Sequence, residues 1–294
     1  MKSLIVLIGN PAAKKASEKK IDRARAFLAS KGYEVERVFT KQRGDAETIA
    51  GGAVKRSPLL VIGAGGDGTI NEVMNGLVGS DVPVAILPLG TTNVLAKELD
   101  IPENVEKAME IAVSRRPRGI SLGKITFTHR APLLSRHFCL MAGVGYDGET
   151  VLRISERLKK ISGKGAYLYS GVTTLLKFNP SELELRVNGK TYSGYSVIIG
   201  NAAKYAGNFS VTPDSRLTDP ALYVCLFKGK RRLDFLRYVF GVVTRTHLRY
   251  EDVEYLKAEE VEISGSSHVQ VDGDYAGVTP AKVEIVRDAL RLVF

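Results

Sequence analysis

The chain has 294 residues, 44% hydrophobic and 25% charged, an ordinary globular composition that excludes an intrinsically disordered chain. Its 42 Lys and Arg against 32 Asp and Glu leave a net charge of +10, which points to a polyanionic partner: nucleic acid, an acidic lipid surface or a phosphorylated ligand. The length exceeds the usual ~100–200 residues per domain, so two domains are expected.

The N-terminal part alternates strand and helix. Leu4–Ile8 is a short apolar strand closed by Asn10-Pro11; with no small-residue cleavage pattern it does not read as a signal peptide. A helix follows over Ser17–Ser30, then an exposed strand over Tyr33–Thr40, and a weaker helix over Asp45–Lys55 that Gly51-Gly52 should interrupt. Leu59–Ile62 and Val82–Leu87 read as buried strands, with helices over Thr69–Val78, Val94–Leu99 and Asn104–Ser114. Apolar strands separated by helices predict βαβ units and a Rossmann-like parallel α/β domain over residues 1–118.

From Gly119 the pattern changes to short alternating strands: Ile120–Phe127, Leu183–Val187, Tyr195–Ile199, Leu222–Phe227, Glu260–Ile263 and Val269–Val271. Asn188-Gly189 is a strong hairpin signal, and helices interrupt near Glu149–Lys160 and Leu233–Val243. The prediction is α/β plus all-β: a mainly antiparallel β-sandwich domain over 119–294, with the last strand able to return to the first domain. No run approaches ~18 uninterrupted apolar residues, so no membrane-spanning helix is expected. Cys139 and Cys225 make no disulfide framework, which fits a reduced cytoplasmic protein.

Two loops carry chemistry. Gly63-Ala64-Gly65-Gly66-Asp67-Gly68-Thr69 follows a buried strand and opens a helix, so its glycines allow close backbone approach and its N–H groups favour an anion. Gly63, Gly65 and Gly68 satisfy the G-x-G-x-x-G spacing. Yet the next strand ends in Pro88-Leu89-Gly90 with no acid for a ribose, and no Walker-type Gly-Lys-Ser/Thr follows. A carboxylate at Asp67 repels a phosphate unless a cation or a hydroxyl proton lies between them, which suits an Mg-nucleotide beside an acceptor hydroxyl. The plainer alternative makes Asp67 a helix cap. Pro88-Leu89-Gly90-Thr91-Thr92-Asn93 should emerge at the same sheet edge, with Thr92 or Asn93 also free to cap the next helix.

Gly65-Gly66-Asp67-Gly68-Thr69-Ile70-Asn71-Glu72-Val73 together with Pro88 to Asn93 resembles the soluble bacterial lipid kinases of the diacylglycerol kinase catalytic-domain family, which are relatives of sphingosine kinases and, more distantly, of NAD kinases. The resemblance continues through Gly143 to Asp147, Gly200-Asn201 to Gly207, Pro213 to Asp219, and Val271 to Asp274. It implies ATP in a cleft between the domains. Gly65, Gly66, Asp67, Gly68, Thr69, Ile70, Asn71 and Glu72 would hold the phosphates. Gly90, Thr91, Thr92, Asn93 and the strand-end Thr40 would complete the nucleotide site. The acids of Asp272-Gly273-Asp274 would accept the proton of a lipid hydroxyl, ranking ahead of Asp67. A structural Mg2+ would take the Asp219 side chain and main-chain oxygens of Arg216 and Ala221. The chain departs from the family at Asp274 for Glu, Pro220 for Gly, Ser121 for Asp, and Ala12-Ala13, where a glycine is usual.

The resemblance therefore implies a phosphotransferase of phospholipid metabolism, with ATP as donor and a diacylglycerol-like acceptor. Two basic-apolar segments suit peripheral contact with the anionic inner membrane face: Arg153, Arg157, Lys159, Lys160 and Lys164 on one, and Phe235, Leu236, Val239 and Phe240 among Arg231, Arg232, Arg237 and Arg245 on the other. A homodimer is compatible with these features. Nucleic acid is not expected, with 7% aromatics and no Trp. The rivals are a NAD kinase-like enzyme, although the Asn-Asp pair expected of it is missing, and a nucleotide-binding member that has lost turnover. Gly119-Ile120-Ser121-Leu122-Gly123 matches G-x-S-x-G, but a strand continuing over Lys124–Thr128 leaves no nucleophile elbow.

Overall fold

The computed structural model describes residues 3–11, 17–128, 133–157, 179–205 and 207–294. The chain forms two compact units, Met1–Ser121 with Arg287–Phe294, and Leu122–Val286.

In the first unit, β1 (Leu4–Gly9), β2 (Glu34–Phe39), β3 (Leu60–Gly65) and β4 (Val84–Pro88) pair in parallel in the order β2-β1-β3-β4. Ile5, Val6, Leu7 and Ile8 are all fully buried. Successive strand residues point to opposite faces, so both faces of the sheet are covered there. The end of the last strand, β16 (Ala281–Val293), joins in parallel, with Leu292 opposite Val84.

The helices of this unit are α1 (Ser17–Ser30), α2 (Asp45–Val54), α3 (Asp67–Leu77), α4 (Val94–Glu98) and α5 (Val105–Ser114). Gly51-Gly52 does not interrupt α2, contrary to the propensity reading. Packing overrides it: α2 lies against α3 so closely that a Cβ on Gly76 would collide with the Glu47 carbonyl oxygen and stand 2.9 Å from the Ala50 Cβ and 3.0 Å from the Gly51 nitrogen. Small residues on both helices are what permit the crossing.

The second unit is a sandwich. One sheet runs β9 (Lys190–Gly194), β8 (Leu183–Val187), β13 (Glu260–Ser264), then the first part of β16; β5 (Pro117–Phe127) pairs with β16 and with β6 (Leu134–Phe138). The other has the antiparallel order β12 (Val253–Ala258), β11 (Leu222–Phe227), β10 (Ser196–Gly200), β7 (Met141–Val144), β14 (His268–Val271), β15 (Asp274–Val278). Phe127, Phe138, Leu185, Val261 and Val283 from the first meet Val144, Val197, Val224 and Val269 from the second in one apolar layer. Each such side chain contributes about 1.5–3 kcal/mol when fully buried. The predicted hairpin forms at Asn188 (φ 50°) and Gly189 (φ 76°), both in the left-handed region that a tight hairpin turn requires. β5 runs through Gly119–Gly123 as continuous strand, so Ser121 sits on no nucleophile elbow.

Among the described residues, the α-helices of this unit are α6 (Tyr146–Arg157) and α7 (Arg232–Thr244). Lys159, Lys160 and Lys164 lie outside the described residues, and Arg153 is ion-paired with Glu149 (Nε–Oε1 2.8 Å). Phe235, expected among membrane-facing residues, instead points inward: it is 3% exposed, with its ring 5.2 Å from Tyr146 and 5.8 Å from Tyr238. No helix among the described residues is long and apolar enough to cross a membrane.

The crossing of α2 and α3 makes a direct prediction. Gly76→Ala should lower the unfolding free energy by about 1–3 kcal/mol, because the methyl meets main chain that cannot yield. Denaturant unfolding followed by far-UV circular dichroism measures it; an unchanged midpoint would contradict the close approach.

Candidate active site

The carboxyl ends of β1 to β4 bring one group of predicted residues together. The β3–α3 and β4–α4 loops touch: the Leu89 N–H donates to the Gly65 carbonyl at 2.8 Å, and a Cβ on Gly90 would lie 2.6 Å from the Gly66 Cα. Glycine is required at Gly90 because the Gly66 backbone occupies the space a side chain would take. At the end of β1, Asn10 Nδ2 donates to Thr69 Oγ1 at 3.3 Å. At the end of β2, the Thr40 N–H donates to the Gly9 carbonyl at 2.9 Å. Asp45 closes the turn after Thr40 by accepting from the N–H groups of Lys41 (2.7 Å) and Gln42 (3.0 Å), which hold this exposed carboxyl below its ordinary range.

Asp67 begins α3, and its Oδ1 accepts the Leu95 N–H at the start of α4 at 3.1 Å. It does cap a helix, but the neighbouring one. Asn93 and Thr92 do not cap α4 with their side chains. Asn93 is in the left-handed region (φ 49°), buried, and donates from Nδ2 to the Gly90 carbonyl at 3.2 Å and to Glu103 Oε1 at 3.0 Å. One carboxylate thus lies against two helix starts, whose partial positive charges offset its own. That removes much of the objection to an acid within an anion-binding loop. Gly66 precedes α3 without a side-chain cap, so the first N–H groups of α3 remain for an anion.

Ile70, Asn71 and Glu72 of the loop motif are engaged elsewhere. Ile70 and Asn71 are buried, Asn71 Oδ1 accepting from Asn75 Nδ2 at 3.1 Å. Glu72 Oε2 accepts the Ala46 N–H at 3.3 Å, at the start of α2. Gly68 and Thr91 are exposed, and Thr92 is half-buried.

In the second unit, the motif blocks converge on two carboxylates, one half-buried and one buried. Asp272, in the left-handed region at φ 48°, accepts the N–H groups of Cys139 (2.8 Å), Leu140 (2.9 Å) and Met141 (2.9 Å) with both oxygens. Asn201 Nδ2 donates to the Cys139 carbonyl of the same turn at 2.9 Å. Asp147, 5% exposed, accepts from Tyr205 Oη and, at 2.6 Å, from Gln270 Nε2. Gln270 Oε1 in turn accepts the Gly273 N–H at 2.8 Å, which ties Asp147 to the turn between Asp272 and Asp274. Burial pushes the Asp147 carboxyl upward, opposed by its two donors. Asp274 begins β15, opposite Val271 and half-buried. Sequence reading gave no role to Asn10, Gln270 or Tyr205. The available signal was Gln270 itself, a polar residue inside the apolar strand Val269–Val271.

The predicted Mg2+ ligands lie on one turn before β11. The Asp219 N–H donates to the Arg216 carbonyl at 2.9 Å, and Ala221 is buried. The Asp219 carboxylate has no protein partner among the described residues. One carboxylate and two carbonyls are the hard oxygen donors Mg2+ takes, so the residues fit the ion in type. No group of three or more His, Cys, Asp or Glu forms a metal site among the described residues.

Comparison with known proteins bears on this arrangement. The diacylglycerol kinase catalytic domain matches residues 4–125, and the YegS C-terminal NAD kinase beta sandwich-like domain matches residues 141–294. The diacylglycerol kinase of Bacillus subtilis (strain 168) is 31% identical over 258 residues, 85% of this chain and 82% of that protein. That of Staphylococcus aureus (strain JH9) is 28% identical over 283 residues, 94% of this chain and 87% of that protein. A crystal structure of a diacylglycerol kinase from Bacillus anthracis str. Sterne shares the fold at TM-score 0.77 and 23% identity, covering 99% of this chain and 97% of that one. Yeast NADH kinase complexed with NADH shares it more distantly, at TM-score 0.54 and 10% identity over 99% of this chain and 83% of that one.

These two carboxylates each make a prediction. Asp272→Asn turns one oxygen into a donor facing an N–H, and should cost about 2–3 kcal/mol of stability by chemical denaturation. Asp147 is raised from its ordinary 3.8 in the folded state, so the folded chain holds its proton more tightly than the unfolded one. Its contribution to stability must then fall as pH rises above 3.8. Relative to Asp147→Asn, the native protein should lose midpoint stability with rising pH in that range; parallel pH profiles would contradict the assignment.

Proposed function

The chain belongs to the diacylglycerol kinase family, and on that premise we propose that it transfers the γ-phosphoryl group of ATP to a lipid hydroxyl, with a diacylglycerol-like acceptor. The observation that carries this reading is the joined pair of loops at the sheet edge, Gly65–Thr69 and Gly90–Asn93, with Asp67 between two helix starts. Phosphoryl transfer asks mainly for positioned donors and offset charge, and that arrangement is suited to supply both.

In this reading the N–H groups of Asp67, Gly68 and Thr69 receive the phosphates, and Thr40, Thr91 and Thr92 take the rest of the nucleotide. Mg2+ would neutralise phosphate charge when bound, and Asp219 with the Arg216 and Ala221 carbonyls would hold a structural ion. Asp274 receives the proton of the acceptor hydroxyl. Asp272, with both oxygens engaged by N–H groups, instead fixes the turn on which Asp274 sits. Asp67 orients the phosphate end of the reaction.

The test is transfer of labelled γ-phosphate from Mg-ATP to diacylglycerol, monoacylglycerol, ceramide, a sphingoid base and a polyprenol in anionic mixed micelles, with NAD as a soluble control. Asp67→Asn keeps an acceptor for the Leu95 N–H while removing the charge and turning the second oxygen into an amide donor. It should lower kcat about 10²–10⁴-fold without loss of fold, and Asp274→Asn should act in the same range. Label in NAD alone, or full activity in both variants, would refute the proposal.

A further inference from the structure

α7 is apolar on two opposite faces. Phe235, Tyr238 and Gly241 are buried in the second unit. Leu233, Leu236, Phe240 and Val243, spaced three and four apart, form a stripe on the far side, with Val239 beside it. Leu233 is 74% exposed and Phe240 65%. Scattered exposed apolar residues need no explanation, but five large ones on one turn-to-turn stripe do.

The charge around this stripe says what covers it. Lys230, Arg231 and Arg232 lie at its start and Arg245 and Arg249 beyond its end; all are exposed, and none of their side chains has a carboxylate partner among the described residues. The neighbouring acids are already engaged: Asp234 Oδ2 accepts the Arg231 N–H at 2.9 Å, and Asp252 holds Arg237 and the Tyr238 hydroxyl. A second copy of the chain would bring these basic ends together and be repelled. An anionic bilayer complements both features, taking the stripe into the acyl boundary and the arginines onto its phosphates.

We propose that the exposed face of α7 is a docking surface for an anionic membrane. The inference deepens the lipid-acceptor reading and rests on it for its purpose, since a lipid kinase must meet its acceptor at a bilayer.

The test is sedimentation of the full chain with vesicles of phosphatidylcholine alone and with phosphatidylglycerol added. The native protein should bind the anionic vesicles, and salt should weaken the binding. Leu236→Ser with Phe240→Ser should reduce it by about tenfold or more, and Arg231→Gln with Arg232→Gln by about fivefold per charge. All four side chains are exposed, so unchanged circular dichroism melting should accompany the loss. Equal binding by the variants, or no binding by the native protein, would overturn the proposal. So would a native dimer in light scattering that the Leu236/Phe240 variant dissolves, because the stripe would then belong to a second copy. Transfer to a water-dispersed short-chain diacylglycerol separates the two readings. Variants that lose vesicles and keep this transfer support docking, whereas a native protein that binds vesicles and labels no lipid fails only the kinase reading.

Discussion

The approach of two backbones at Gly66 and Gly90 is the constraint on which the first unit's site depends. Strands β3 and β4 are adjacent and parallel, so their following loops leave the same edge. Adjacency alone does not join them. Gly90 admits the Gly66 Cα, the Leu89 N–H binds the Gly65 carbonyl, and Asp67 then reaches the start of α4. A side chain at Gly90 would push the β4–α4 loop away and take Leu95 from Asp67. The geometry of the carboxylate is therefore a consequence of missing side chains two loops apart.

The second unit solves a different problem with the same economy. An antiparallel sandwich has few ways to hold an irregular turn rigid, because its ladder hydrogen bonds end at the strand tips. Here Asp272 gathers three N–H groups of the β6–β7 turn while Gln270 fixes the Gly273 N–H from inside the core. Asp147 anchors Gln270 from α6. Burying that carboxylate raises its proton affinity, a cost borne because its donors orient a turn that carries an acid.

What could be read from the sequence was whatever depends on neighbours in the chain. The apolar runs of β1, β3 and β4, the Asn188-Gly189 hairpin and the glycine loops all declare themselves within a few residues. β12 and the full extent of β16 do not: β16 mixes charges and apolar residues over 13 positions without strict alternation, because its first part pairs with β13 and its end with β4. The Gly51-Gly52 helix misleads for the same reason, since its propensity cost is recovered against Gly76 in another helix. Asp67 was legible as an unusual acid, but its partner, the Leu95 N–H, lies 28 positions away. Phe235 and Phe240 look alike in sequence, and only the packing of Tyr146 and Tyr238 separates the inward ring from the outward one.

The division of labour proposed for three acids draws on hydrogen bonds rather than on the motif. A carboxylate accepts a proton readily only through an oxygen that is not already committed, and moving a committed one costs the bonds it makes. Asp272 would have to release N–H groups of Cys139, Leu140 and Met141, which would undo the turn it holds. Asp67 uses Oδ1 alone, on Leu95, and its second oxygen has no partner among the described residues. It lies beside the starts of α3 and α4, the place where the proposed reading puts the phosphates. Asp274, half-buried at the start of β15, follows Gly273, whose N–H the Gln270 side chain holds, and in the proposed reading it takes the proton. The three N–H groups on Asp272 are therefore what give it a holding role in the proposed reading, where the motif alone had left Asp272 and Asp274 interchangeable.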